Sequence, residues 1–396
     1  MPWCRFGDAD SVVENGAVSI VRKIVVAPDS FKGTATAAQV AQAIADGWHS
    51  QLPGDSVLMR PMADGGEGTI DAFAEGFPSA QVVSVNVTGP SGRPTEAAYL
   101  LLPDGTAVVE LASTSGLGLL SALAPMTAHT RGFGQAIAAA LDDGAQRLVL
   151  AVGGSSSTDG GAGVLTELGA RFLNAEGVSI ENGGSGLAAL ATVDLDGLRP
   201  LPPLGALVLA DVTNPLLGEL GAAAVFGPQK GADAEQAKEL DQNLKRYAEL
   251  LGVDPTIAGS GAAGGAAYGL MAWGASLRSG AETVSELADL SAALRGASLL
   301  IAGEGSFDGQ SMGGKVISHL LSLAARWDVP VALIAGRIAA ETSGFVEVRS
   351  LTELAGRDAA MAEPLRWVHE AASQLAMALT SDHAAPLASP DDQAPI

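Results

Sequence analysis

The sequence predicts an α/β protein of two domains, with parallel sheets covered by helices. Three observations carry that expectation. Strand, loop and helix patterns alternate from residue 22 onward, several strands end in a carboxylate or a glycine loop, and 396 residues are more than one core normally holds. An apolar fraction of 47% against 17% charged residues excludes overall disorder.

Residues 1–21 carry no clear period and read as an N-terminal extension. KIVVA (23–27) is a short apolar strand. After the loop PDSFKGTA, Thr36 and Gln39 have the spacing of a capping box, and Val40, Ile44 and Trp48 then share one helical face. Phe133, Ile137 and Leu141 repeat that spacing until Gly144 ends the helix. RLVLAV (147–152) is the next strand, followed by the loop GGSSSTDGGAG (153–163) and a helix through VLTELGARF. The unit returns at LVLAD (207–211) and at SLLIA (298–302). The latter leads into the loop GEGSFDGQSMGGK, the helix VISHLLSLAARW and the strand VPVALIAG. Residues 384–396, AAPLASPDDQAPI, form a proline-rich acidic tail that is expected to be disordered.

Composition narrows the function. A net charge of −22 repels nucleic acid and anionic lipid, so neither is an expected partner. A single cysteine, Cys4, excludes a disulfide framework and a cysteine-based zinc or redox centre, and the five histidines show no ligand spacing. No apolar run reaches the roughly 18 residues of a membrane span, and the N-terminus has no secretory pattern. A cytoplasmic location is expected. Lysine is scarce, yet Lys32, Lys230 and Lys315 all lie in glycine-bearing segments, where an acidic protein would keep a cation for an anion.

Asp29, Asp211 and Glu304 stand at or just past strand ends, where ligands of open α/β sheets bind. Each can instead cap a helix, but several polar, glycine-flanked strand ends together read as one site. Of the glycine loops, GSGAAG (259–264) lacks the preceding strand of a dinucleotide fingerprint. GQSMGGKV (309–316) has Val316 where a P-loop needs a hydroxyl. ADGGEGT (63–69) and GGSSSTDGGAG share the core DGG and suit phosphate. No histidine falls within these motifs. Their Asp, Glu, Lys, Ser and Thr suit phosphoryl transfer, in which Lys and Mg²⁺ neutralise charge and an Asp accepts the hydroxyl proton.

These stretches together resemble the type I glycerate kinase family, the bacterial glycerate 2-kinases. The matching blocks are VVAPDSFKGT (25–34), PMADGGEGT (61–69), VGGSSSTDGGAG (152–163), ELGARFL (167–173), ADVTNPLLG (210–218), FGPQKGAD (226–233), GAAGG (261–265) and AGEGSFDGQS (302–311). The resemblance implies ATP- and Mg²⁺-dependent phosphorylation of D-glycerate. It also implies two three-layer α/β domains with a cleft between them. One, doubly wound, would be built from both chain ends (22–85 plus 286–383), with the glycine-rich middle (86–285) inserted as the other.

On that resemblance Lys32, Asp64, Asp159 and Asp211 are candidate catalytic residues, and Asp211 is alternatively a ligand of Mg²⁺ through water. Asp29, Ser30, Lys32, Glu304 and Asp308 are candidates for binding substrate. Gly153, Gly154, Ser155, Ser156, Ser157, Thr158 and Lys230 are candidates for holding the nucleotide. Two features depart from the family pattern. Ser306 stands where many relatives have an arginine, whose charge Arg337 can supply, and residues 1–21 have no counterpart. Phosphorylation at the 3-hydroxyl, another small hydroxy acid as substrate, and a non-catalytic acid-binding regulator stay open.

Overall fold

The computed structural model describes residues 11–14, 17–66, 68–76, 79–309 and 316–381. The acidic tail 384–396, Lys315 and most of the GQSMGGK stretch lie outside the described residues. The chain is mixed α/β and divides into two compact units. One comprises residues 1–61, 291–313 and 320–396, the other 62–290 and 314–319.

The unit formed by the chain ends holds a wholly parallel five-stranded sheet. Its order is Glu347–Ser350, Val331–Ile338, Leu299–Phe307, Lys23–Pro28, Ser56–Met59. Branched apolar residues such as Ile24, Val26, Ile301 and Ile334 are buried in it, as a parallel sheet covered by helices requires. The helix Ala37–Gln51 begins at the expected capping box, Thr36 with Gln39. It buries Val40, Ile44 and Trp48 in the same core cluster as the helix Pro364–Ser381. A Cβ on Gly47 would stand 2.2 Å from the carbonyl oxygen of His369, so only glycine lets the two helices approach this closely. Asp55 ties this corner down, accepting from Trp48 Nε1 at 2.9 Å and pairing with Arg22 at 2.9 Å.

One expectation fails here. The strand expected to end at Ala302 runs on to Phe307, so Glu304 and Ser306 belong to it rather than to a loop. The neighbouring strand Val331–Ile338 packs closely on it, since a Cβ on Gly336 would stand 2.4 Å from the Gly305 carbonyl oxygen. The N-terminal extension holds a short hairpin. Ser11–Glu14 and Ala17–Ile20 pair antiparallel, with Ser11 opposite Ile20.

The second unit is built on a six-stranded sheet in the order Ser276–Arg278, Ala206–Leu209, Arg147–Ala151, Thr106–Glu110, Pro94–Leu101, Gln81–Thr88. The first four strands are parallel and the last two antiparallel. Val109, Phe133, Ile137, Leu148, Leu150, Leu165, Val208, Leu244 and Tyr268 form its core. Burying each such side chain is worth about 1.5–3 kcal/mol. Residues 62–85, expected with the chain ends, group with this unit, because Gln81–Thr88 pairs along its length with Pro94–Leu101. The helix expected through VLTELGARF stops at Glu167, and Arg171–Leu173 is a strand. Gly169 makes that break with φ +110°, where a Cβ would meet the Gly197 carbonyl oxygen at 2.2 Å. No helix among the described residues is long and apolar enough to cross a membrane.

Candidate active site

Four parallel strands of the six-stranded sheet deliver Glu110, Gly153, Asp211 and Gly280 at or just beyond their carboxyl ends. The DGG turn, residues 64–66, lies against these ends. Gly153 N–H donates to the Gly65 carbonyl at 3.0 Å. A Cβ on Gly153 would stand 2.4 Å from Gly66 Cα, and one on Gly280 2.1 Å from the Asp64 carbonyl oxygen. Both positions need glycine because backbone packs on backbone. The turn is braced from within by the Asp64 carboxylate, which accepts from Gly66 N–H at 3.0 Å.

Asp64 is thereby brought next to Asp211, two residues beyond Leu209. Asp211 Oδ1 accepts from Gly280 N–H at 2.9 Å, while its Oδ2 is buried with no hydrogen-bond partner among the described residues. Burial pushes the Asp211 carboxyl above the usual carboxylate range. Hydrogen bonds from Gly280 and Ser279 oppose the shift, and the neighbouring Asp64 charge adds to it. Two adjacent carboxylates, with Asp211 Oδ2 buried, concentrate negative charge at these strand ends. No cluster of three or more metal-ligating side chains occurs among the described residues. Magnesium does not require one, since it is commonly held by one or two carboxylates together with substrate phosphates. The pair therefore fits Mg²⁺ brought in by a nucleotide.

Glu110 escaped the sequence reading. It is 5% exposed and accepts from the backbone N–H groups of Gly68 and Ile70, both at 3.2 Å, thereby capping the helix Thr69–Gly76 that follows the DGG turn. The only signal available was an acid ending the apolar run TAVVE.

Asp159 lies elsewhere in the hydrogen-bond network. It is 1% exposed, and Oδ2 accepts from Thr130 N–H (2.9 Å), Thr130 Oγ1 (2.8 Å) and Gly163 N–H (3.3 Å), while Oδ1 accepts from Gly161 N–H (3.2 Å). Those contacts join the starts of the helices Arg131–Asp142 and Ala162–Glu167. Ser155, Ser156, Ser157 and Thr158 are also buried. Lys230 Nζ donates to Ser155 Oγ and to the Ser157 carbonyl, and Ser156 Oγ donates to the Ser115 carbonyl. Of the residues expected to hold a nucleotide, only Gly153 and Gly154 reach the surface. Lys230 is itself 1% exposed, and burial lowers its pKa to about 7 against the attraction of Asp159.

The remaining candidates belong to the unit formed by the chain ends. Phe31 and Ala35 close a tight loop through paired backbone hydrogen bonds of 2.9 and 3.0 Å, leaving Lys32 exposed at its tip. Asp29 N–H donates to the Gly303 carbonyl at 2.8 Å, and the Asp29 carboxylate accepts from Ser30 N–H at 2.6 Å. A Cβ on Gly305 would lie 3.3 Å from Phe31 Cα, so this loop packs beside Glu304 and Ser306. Arg337 stands opposite Ser306 across the sheet, with Nη2 3.5 Å from the hydroxyl. Asp308 follows the strand end at Phe307.

The chain is similar to known glycerate kinases. Glycerate kinase of Bacillus subtilis (strain 168) is 41% identical over 335 residues, covering 82% of this chain and 87% of that protein. Glycerate 2-kinase of Escherichia coli (strain K12) is 42% identical over 326 residues, covering 80% and 85%. A crystal structure assigned as glycerate kinase 2 from Salmonella typhimurium LT2 superposes with a TM-score of 0.82 at 40% identity, covering 92% of this chain and 99% of that one. The sequence profile of the glycerate kinase family matches residues 24–380, and the chain belongs to that family.

Proposed function

We propose that the protein transfers the γ-phosphoryl group of ATP to the 2-hydroxyl of D-glycerate. The observation that carries this reading is the Asp64–Asp211 pair, in a chain 42% identical to a glycerate 2-kinase. The unsatisfied Oδ2 of Asp211, on a carboxyl whose proton affinity is already raised, suits acceptance of the hydroxyl proton. Asp64, together with substrate phosphates, would hold Mg²⁺. Bound there, the ion would supply positive charge against the transferring phosphoryl group. Gly153 and Gly154 offer exposed backbone at the end of a parallel strand, where a phosphate can approach closely. Lys32 supplies positive charge to an anionic substrate from the tip of its closed loop.

Asp159 takes no direct part in this reading. Its four hydrogen bonds leave it shaping the loop rather than exchanging protons with a substrate. Use of ATP as the donor supports a cytoplasmic location.

The test is to incubate the protein with D-glycerate, Mg²⁺ and ATP and to couple product formation to enolase, with and without phosphoglycerate mutase. Signal without the mutase establishes 2-phosphoglycerate. Signal only with it assigns the 3-hydroxyl as nucleophile. The absence of ATP turnover in folded protein refutes the glycerate reading.

A further inference from the structure

Lys230 occupies a position that the proposed chemistry does not use. It ends the short turn Pro228–Lys230, after which Gly231 adopts φ +95° and turns the chain away. Its side chain runs inward and bonds the glycine loop at two points, the Ser155 hydroxyl at 2.9 Å and the Ser157 carbonyl. The GAAGG motif closes around this contact. A Cβ on Gly264 would stand 2.0 Å from the Ser157 carbonyl oxygen and 2.9 Å from Lys230 Nζ, and Gly160 N–H donates to the Gly264 carbonyl at 3.1 Å. Farther along the loop, Asp159 binds it to two helix starts. A buried amine is costly unless it is hydrogen-bonded, and an apolar side chain would fill the same space without that penalty.

We infer that Lys230 is a positioning residue, an internal strut that fixes the shape of the 153–158 loop and, through it, the seat of the turn bearing Asp64. The connection is short and continuous. The same loop presents Gly153, whose N–H holds the Gly65 carbonyl and whose Cα packs on Gly66. Asp64 precedes that glycine pair and braces it through Gly66 N–H. Loosening the loop at Ser155 and Ser157 therefore displaces the Asp64 turn without touching either carboxylate. The catalytic part of this inference rests on the function proposed above.

The experiment compares wild type with Lys230→Met and Ser155→Ala, reading both steady-state kinetics and backbone hydrogen exchange. Lys230→Met is expected to exchange the 153–158 amides about tenfold faster, with those of the Thr106–Glu110 strand unchanged. Its kcat should fall about tenfold or more per folded molecule, with KM for glycerate and ATP within about threefold of wild type. Ser155→Ala, which removes one of the two acceptors, should shift both readings in the same direction by about threefold. If Lys230→Met does not fold, Ser155→Ala carries the test alone. A purely structural lysine would lower the yield of folded protein and leave kcat and loop exchange at wild-type values, and that result overturns the inference. Hydrogen exchange does not depend on the identity of the substrate. A wild type inactive on glycerate would refute the proposed function, while the exchange comparison still decides whether Lys230 holds the loop.

Discussion

Lys230→Met also makes a thermodynamic prediction whose size follows from the burial of the amine. Lysine holds its proton up to pH 10.5 when solvated and only to about 7 in the folded protein. Between those values the unfolded chain binds more protons than the folded one, so stability rises with pH across the window. A depressed pKa thus contributes stability that is complete above 10.5 and lost as the pH falls through about 7. The full swing is about 5 kcal/mol at 1.36 kcal/mol per unit, and the part between pH 7 and 9.5 is about 3 kcal/mol. Asp159 is the charged group acting on Lys230, and His129 and Tyr247 are the titratable neighbours of Asp159. Burial pushes His129 down and Tyr247 well above its ordinary value, so neither changes charge in this range. Urea unfolding of wild type and Lys230→Met at pH 7 and 9.5 isolates the lysine, because every other group cancels in the double difference. Wild type should gain about 3 kcal/mol on the variant over that interval. A gain below about 0.5 kcal/mol would mean that the amine is solvated, and the strut would fall with it.

Other substitutions separate chemistry from architecture. Asp211→Asn should lower kcat by roughly 100-fold or more, as loss of a general base does. The same change should raise the melting temperature at neutral pH. A raised carboxyl pKa contributes stability below the unfolded value that is lost as pH rises through the folded one, and asparagine carries no charge to lose. Lys32→Ala should depress turnover by roughly 100-fold if the lysine neutralises transition-state charge, and an effect below tenfold removes it from the mechanism. Asp159→Asn should lower stability by about 2–4 kcal/mol in a thermal melt, because an amide –NH₂ would face N–H donors that now meet a carboxylate. A variant with wild-type stability and no activity would instead return Asp159 to the catalytic set.

The legible parts of the sequence were those decided over short range. The capping box at Thr36 and Gln39, the Val40–Ile44–Trp48 face and the apolar strands are set by neighbours within a turn or a strand, and the structure reproduces them. What escaped was decided across the sheet. Gly303 and Gly305 read as loop residues because a local pattern cannot show that a Cβ on Gly303 would stand 3.1 Å from Pro28 Cβ, and one on Gly305 3.3 Å from Phe31 Cα. Glu110 meets backbone 40 and 42 residues away, a partnership without a sequence period. The hydroxyls of GGSSST looked like phosphate ligands because polarity suggests exposure. They are buried, and a lysine some 70 residues on takes the Ser155 hydroxyl and the Ser157 carbonyl as internal partners.

The strand-end acids show why residue type alone could not rank the site. An acid at a strand end can serve a helix start or a substrate, and the two uses differ in how many acceptor sites the protein itself occupies. Asp159 accepts four hydrogen bonds across both oxygens. Glu110 takes one backbone N–H on each oxygen. Asp211 keeps Oδ2 buried without a partner among the described residues, and burial with the neighbouring Asp64 charge makes ionisation harder despite hydrogen bonds from Gly280, Ser279 and Ala281. The first two arrangements lower the free energy of the fold, while the third raises it, as groups poised for chemistry commonly do. That asymmetry, which no spacing in the sequence encodes, is what favours Asp211 over Asp159 as the base in the proposed reaction.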